Sequence, residues 1–210
     1  MNIAILGGAF DPPHIGHFLV ASQVKEMLKM DEVWLMPCYS YFPEFPVKFA
    51  RITQPEDRLN MVQMFGDYAC LSARQRLRTS DFEFKFNQKS RTIDTMRLLE
   101  KKYPQHSFSW IIGSDTLPTF QLWNEWQSLV KDHNLIIFPR DTDFKTLERR
   151  VKKAFDISKI SSNISIIEGD VIVSNIASTH IRNRIRENKP ISLMTAPKIE
   201  KYIIDHKLYR

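Results

Sequence analysis

Residues 2–36 spell out a complete strand–helix–strand unit, and no other stretch constrains the fold as tightly. The run Asn-Ile-Ala-Ile-Leu at 2–6 is β-rich and ends in Gly7-Gly8, the pattern of a buried strand leaving into a tight turn. Over 16–30 the apolar residues Phe18, Leu19, Ala21, Val24, Met27 and Leu28 fall at helical spacing. A second strand follows at 32–36, and Pro37 stops it. Two strands joined by a helix over so short a span form a βαβ unit, which implies a parallel pair with a right-handed crossover.

The alternation continues. A proline- and aromatic-rich loop at 39–54 leads to Pro55, placed where the first turn of a helix begins, and the helix runs over 56–65. Strands are expected at 68–71, 108–112, 134–138 and 164–167, with a strand-like stretch at 171–173. Helices are expected at 91–102, 144–155, 178–187 and 196–206. This order predicts a single α/β domain over 1–210, a Rossmann-like, doubly wound parallel sheet closed by C-terminal helices. The 210 residues, 43% of them hydrophobic, suit that reading. In such sheets ligands bind beyond the carboxyl ends of the strands, so the informative residues should sit just after strands.

The apolar run at the N-terminus is short and lacks a basic flank, which does not fit a signal peptide, and no stretch is long and apolar enough to span a membrane. Cys38 and Cys70 are far apart and form no CxxC motif, so a reducing cytoplasm is the expected compartment. The formal charge of +6 suits an anionic partner, whether nucleic acid, anionic lipid or a phosphorylated small molecule; it equally suits a merely soluble basic surface.

Three motifs follow strands. The first is Gly7-Gly8-Ala9-Phe10-Asp11-Pro12-Pro13-His14-Ile15-Gly16-His17. Two glycines after a strand let a ligand approach the backbone, and the mouth of the next helix offers free N–H groups to an anion. His14 and His17, three apart, share a helix face and can donate to a phosphate, with Gly16 leaving room for it. They could instead be metal ligands lacking an obvious third partner, or satisfied polar residues at a helix start. The second motif, Ile176-Ala177-Ser178-Thr179-His180-Ile181-Arg182, opens a helix with two natural N-cap hydroxyls and an arginine on the same face. The third is Gly113-Ser114-Asp115, followed by Trp123 and Trp126. Gly113 can admit a flat base or ribose; Asp115 can accept from a ribose hydroxyl or serve as an N-cap; Trp123 can stack on a ring or fill the core.

Taken together these residues resemble the bacterial nicotinate (or nicotinamide) mononucleotide adenylyltransferases, a branch of the H-x-G-H nucleotidyltransferase superfamily. The resemblance runs nearly end to end. It takes in Arg58, Thr92-Ile93-Asp94-Thr95, Pro139-Arg140, Tyr202-Ile203 and Leu208-Tyr209 besides the three motifs. It implies Mg²⁺-dependent transfer of AMP from ATP to nicotinate mononucleotide, or to its amide, with release of pyrophosphate, a step of NAD biosynthesis. It implies that Gly8, Ala9 and Phe10 line the ATP site with backbone, and that His14, His17, Arg182 and Lys48 act on the phosphates. Gly113 and Asp115 would hold adenosine, and Ile176, Ser178 and Thr179 its base and phosphates. Thr92 and Trp123 would face the pyridine ring, with Arg140 near the mononucleotide. Three positions depart from the family pattern: Val47 where histidine is frequent, Arg91 in place of a tyrosine, and Ala177 in place of a serine.

Two other functions compete. Another superfamily member would carry the same H-x-G-H with a different phosphorylated acceptor. A nucleic-acid-binding protein would use Arg74, Arg76 and Arg78 with Arg182, Arg184 and Arg186, although such clusters are usually solvated surface. Apolar residues near Trp126 belong either to the core or to an interface in a homo-oligomer.

Overall fold

The structure is a computed structural model, and it describes residues 1–40, 52–69, 77–86, 91–140 and 143–210. Six parallel strands form one sheet: β1 (Asn2–Gly8), β2 (Glu32–Pro37), β3 (Leu77–Thr79), β4 (Ser107–Gly113), β5 (Asn134–Phe138) and β6 (Ile164–Ile166). Their spatial order is β3-β2-β1-β4-β5-β6. The chain winds outward first to one side of β1 and then to the other, so the order reverses between β1 and β4 and leaves a crevice there. Seven helices accompany the described strands: α1 (Ile15–Met27), α2 (Pro55–Ala69), α3 (Thr92–Lys102), α4 (Trp126–Asp132), α5 (Phe144–Phe155), α6 (Ser178–Arg186) and α7 (Pro197–Asp205). The expected doubly wound α/β fold is what forms.

Alternation along β1 shows why both faces are covered. Ile3 and Ile5 point into one cluster, with Ile93, Met96 and Leu99 of α3. Ala4 points into the other, with Ala21 and Val24 of α1 and Ile199 and Ile203 of α7. Gly7 is demanded by packing. A Cβ there would overlap the indole of Trp110, which crosses beneath the end of β1 from β4.

Two expected strands do not form. Tyr68 and Ala69 lie in the last turn of α2, and the strand beside β2 is instead Leu77–Thr79. The helix continues past Gly66 because Gly66 lets it close on β3: an added Cβ would stand 2.8 Å from the Thr79 hydroxyl. Residues 171–173 join no ladder. The Gln23 side chain of α1 takes up the Ile172 backbone, accepting from its N–H at 2.6 Å and donating to its carbonyl at 2.9 Å, so no strand is needed to satisfy it. Between β4 and β5 the sequence reading left a gap. It is filled by a 3₁₀ segment, Ser114–Leu122, and the short α4. Among the described residues no helix is long and apolar enough to cross a membrane.

Candidate active site

The crevice at the reversal point is framed by the ends of β1 and β4 and by the openings of α1 and α6. His14 is the N-cap of α1, and its backbone N–H donates to Nδ1 of His17 at 3.1 Å. With Nδ1 accepting, the His17 proton resides on Nε2, which is left as a donor. The two imidazole centroids lie 3.7 Å apart with the rings tilted by 31°, and Phe10, buried and at φ +52°, lies 4.7 Å from His17.

Burial pushes the His14 pKa down to about 3, helped by the nearby Arg140 and His180. Burial also holds His17 well below the usual imidazole range, with His14 and Arg140 adding to it. Both rings are therefore neutral near pH 7, and the site's positive charge comes from arginines. His14 Nδ1 is buried without a hydrogen-bond partner. The space around Gly16 is taken by the site itself: a Cβ would stand 3.0 Å from that same Nδ1 and 3.5 Å from the Ile176 carbonyl.

Ser178 and Thr179, expected as N-caps, are instead the first residues of α6. The cap is Ala177, which has no side-chain oxygen to offer. The opening N–H groups of α6 are thus left without a side-chain cap, as an anion would require. The two hydroxyls serve elsewhere: Ser178 donates to the Pro12 carbonyl at 2.8 Å, and Thr179 accepts from Arg182 at 3.1 Å. Arg182, only 15% exposed, also donates to the Asp11 carbonyl at 2.7 Å.

On the β4 side, Gly113 ends the strand, and any side chain there would collide with the Asp115 carboxylate and crowd Arg140. Asp115 is not an N-cap, a position Gly113 holds; its carboxylate pairs with Arg140 at 3.4 Å. Arg140 is held in turn by its own N–H on the Ser114 hydroxyl at 3.0 Å. Its positive charge lies near enough to both histidines to help hold them neutral. Gly8 gives its carbonyl to the Cys38 N–H at 2.9 Å, and Ala9 gives its own to Arg58 at 3.1 Å.

Thr92 opens α3, and Trp123 packs half-buried against Phe120 at 5.2 Å, centroid to centroid. A bidentate ion pair, Arg97 to Glu125 at 2.7 and 3.3 Å, ties α3 to the turn after Trp123. Trp126 also packs on the core rather than standing free. Lys48 and Val47 lie outside the described residues, as do Arg74 and Arg76. Arg78 is engaged at the sheet edge by Glu32 at 3.2 Å, and Arg184 and Arg186 by Pro190 and Asn183.

Arg58 carries more than the sequence assigned to it. It is 1% exposed and donates to four carbonyls, those of Thr53, Ala9, Cys38 and Tyr39, at 2.6–3.1 Å. It thereby fixes the turn after β1 to the turn after β2. The signal was its spacing from Met61, Val62 and Phe65, which puts an arginine on the buried face of α2.

The cytidylyltransferase-like family model matches residues 5–184. Curated relatives match over their whole length. One from Caldicellulosiruptor saccharolyticus, named a probable nicotinate-nucleotide adenylyltransferase, is 34% identical over 210 residues, covering 100% of both chains. Another of that name, from Flavobacterium johnsoniae, is 30% identical over 211 residues with the same coverage. Among solved structures, the Plasmodium falciparum nicotinic acid mononucleotide adenylyltransferase complexed with NaAD shares the fold at TM-score 0.78 and 21% identity, covering 99% of this chain and 97% of its own. Motif, topology and full-length similarity agree: the chain belongs to the cytidylyltransferase-like family, in its nicotinate-nucleotide adenylyltransferase branch.

Proposed function

We propose that the protein is the enzyme that transfers AMP from ATP to nicotinate mononucleotide, giving the dinucleotide and pyrophosphate in NAD biosynthesis. One observation carries the reading beyond family membership. Two closely packed, neutral histidines and two arginines converge on the mouth of a helix at the sheet's reversal point. That arrangement is suited to oligophosphate and poorly suited to covalent chemistry.

A 5′-phosphate oxygen of the mononucleotide attacks the α-phosphorus of ATP; the bond to the β-phosphate oxygen breaks, and pyrophosphate leaves. No enzyme-bound intermediate is needed, so catalysis is positioning and charge stabilisation. His17, with its proton on Nε2, donates to a phosphate oxygen, and His14 lies beside it. Arg182 and Arg140 supply positive charge, joined in this reading by Lys48. The opening N–H groups of α6 complete the anion site. Gly8, Ala9 and Phe10 line it with backbone, and Gly113, Asp115 and Ile176 border the adenosine. Thr92 and Trp123 face the pyridine ring.

Mg²⁺ fits this site as part of the ATP. Among the described residues no three His, Cys, Asp or Glu side chains converge to hold a metal, and the Asp11 carboxylate is engaged by Tyr209 and Arg182. Bound with the ATP, the ion would supply neutralisation of phosphate charge beside Arg182 and Arg140. In this reading residues 1–210 act as one catalytic domain in the cytoplasm.

The test is pyrophosphate release with MgATP, run in parallel with nicotinate mononucleotide, nicotinamide mononucleotide and phosphopantetheine. Release with the nicotinate form, and little with the other two, is the expected result. Release only with phosphopantetheine, or with none, would remove the pyridine acceptor from the reading.

A further inference from the structure

The loop that presents the two histidines is held almost entirely by residues far along the chain. Ser178 and Thr195 hydroxyls donate to the carbonyls of Pro12 and Pro13 at 2.8 and 2.7 Å, and the Ile15 N–H donates to the Met194 carbonyl at 3.0 Å. Those contacts fix backbone. A further one ends on a side chain: the Tyr209 hydroxyl donates to Oδ1 of Asp11 at 2.8 Å. The other carboxylate oxygen, Oδ2, faces the Thr53 N–H at 3.5 Å and Arg182 at 3.9 Å. Asp11, 1% exposed, is thus the junction between Tyr209 and the arginine of the phosphate site.

We propose that Tyr209 is a positioning residue for the transfer reaction, orienting the Asp11 carboxylate so that Arg182 and the histidine loop are registered against the phosphates. The proposal rests on the function given above. Both Lys207 and Tyr209 adopt left-handed backbone, at φ 53° and 67°, a conformation unfavourable for residues with a Cβ. Such a path persists where a contact holds it, and the part-buried phenol provides one. Burial, and then the neighbouring Asp11, raise its pKa far above the usual phenol range, so the hydroxyl stays protonated and remains a donor. Without that donor, Asp11 Oδ1 is left unpaired in a buried site and the carboxylate turns toward Arg182. The guanidinium then leaves the Asp11 carbonyl and the Thr179 hydroxyl that aim it. The Ser178, Thr195 and Met194 contacts keep the loop attached, so the fold survives while the aim is lost.

Tyr209→Phe keeps the ring and removes the donor. Its kcat for pyrophosphate release is expected to fall about tenfold, with the KM for nicotinate mononucleotide unchanged. In an Asp11→Asn background the same substitution should cost nothing further, because the group through which it acts is already altered. A wild-type kcat in Tyr209→Phe, effects that multiply in the double variant, or a loss that merely tracks a fall in melting temperature would each overturn the proposal. A readout free of turnover separates it from the assigned reaction. Imidazole NMR signals of His14 and His17 should shift in Tyr209→Phe without substrate, and unchanged signals count against the proposal even if the wild type proves to use another acceptor.

Discussion

The two ends of the proposed site are built by different means. At the phosphate end, residues 11–17 are clamped by Ser178, Arg182, Met194, Thr195 and Tyr209 through buried or part-buried polar contacts that span most of the chain. At the ring end, Thr92 and Trp123 are set by a helix start and by packing on Phe120, with an ion pair tying α3 to the neighbouring turn in which both partners are nearly half exposed. Buried hydrogen bonds are costly to leave unpaired, whereas exposed ion pairs contribute little. In the proposed function the phosphate end is therefore the more firmly fixed of the two, and the ring end the less constrained. The departure at Arg91 lies at the ring end, as the N-cap of α3. The departure at Ala177 lies at the proposed phosphate end, where it leaves the opening of α6 without a side-chain cap.

That contrast can be attacked from its strong side first. His17→Ala should lower kcat on the order of a hundredfold or more, about 2.7 kcal/mol of transition-state stabilisation, as for loss of one oxyanion donor. Near-full turnover would show that the histidine pair is scaffold. Next in size is a dependence of stability on pH. Both folded histidines have pKa values depressed below the ordinary 6.5, so below that pH the unfolded chain takes up protons the folded rings refuse. Stability is then complete above pH 6.5 and falls as the pH drops toward His14's folded value of about 3. Between pH 7 and pH 5 His14 alone should account for about 2 kcal/mol, read as the difference in denaturant unfolding between wild type and His14→Gln. Equal losses in the two proteins would mean that His14 is not held neutral. The smallest effect belongs to the ring end. Trp123→Ala should raise the KM for the mononucleotide about tenfold and barely move kcat, as loss of one stacking surface would. A fall in kcat as large as that of His17→Ala would erase the distinction between the two ends.

How much of this could be read in advance depended on how local its cause was. The strand Asn134–Phe138 and the helix Phe144–Phe155 appear where periodicity places them, because each is decided by its own apolar pattern and caps. The strand expected at 68–71 failed because a helix that could close on Thr79 through Gly66 outweighed local β preference. The histidine pair was legible from its spacing and its glycines. Its neutrality was not, since burial of the rings and the nearness of Arg140 are tertiary properties. Arg58 and Tyr209 matched a pattern, but what they do depends on carbonyls and a carboxylate distant in sequence, which no window of the chain displays.

The indole under Gly7 has a consequence for recombination. Gly7 and Trp110 sit on adjacent strands on either side of the reversal point, and the indole occupies the volume a side chain at position 7 would need, so Gly7 cannot grow while Trp110 stays. A chimera that joined the β1–β2–β3 half of this chain to the β4–β5–β6 half of a relative would preserve every motif and could still jam at its seam. Exchanging the halves therefore has to carry this one inherited pair together, one of them without a side chain.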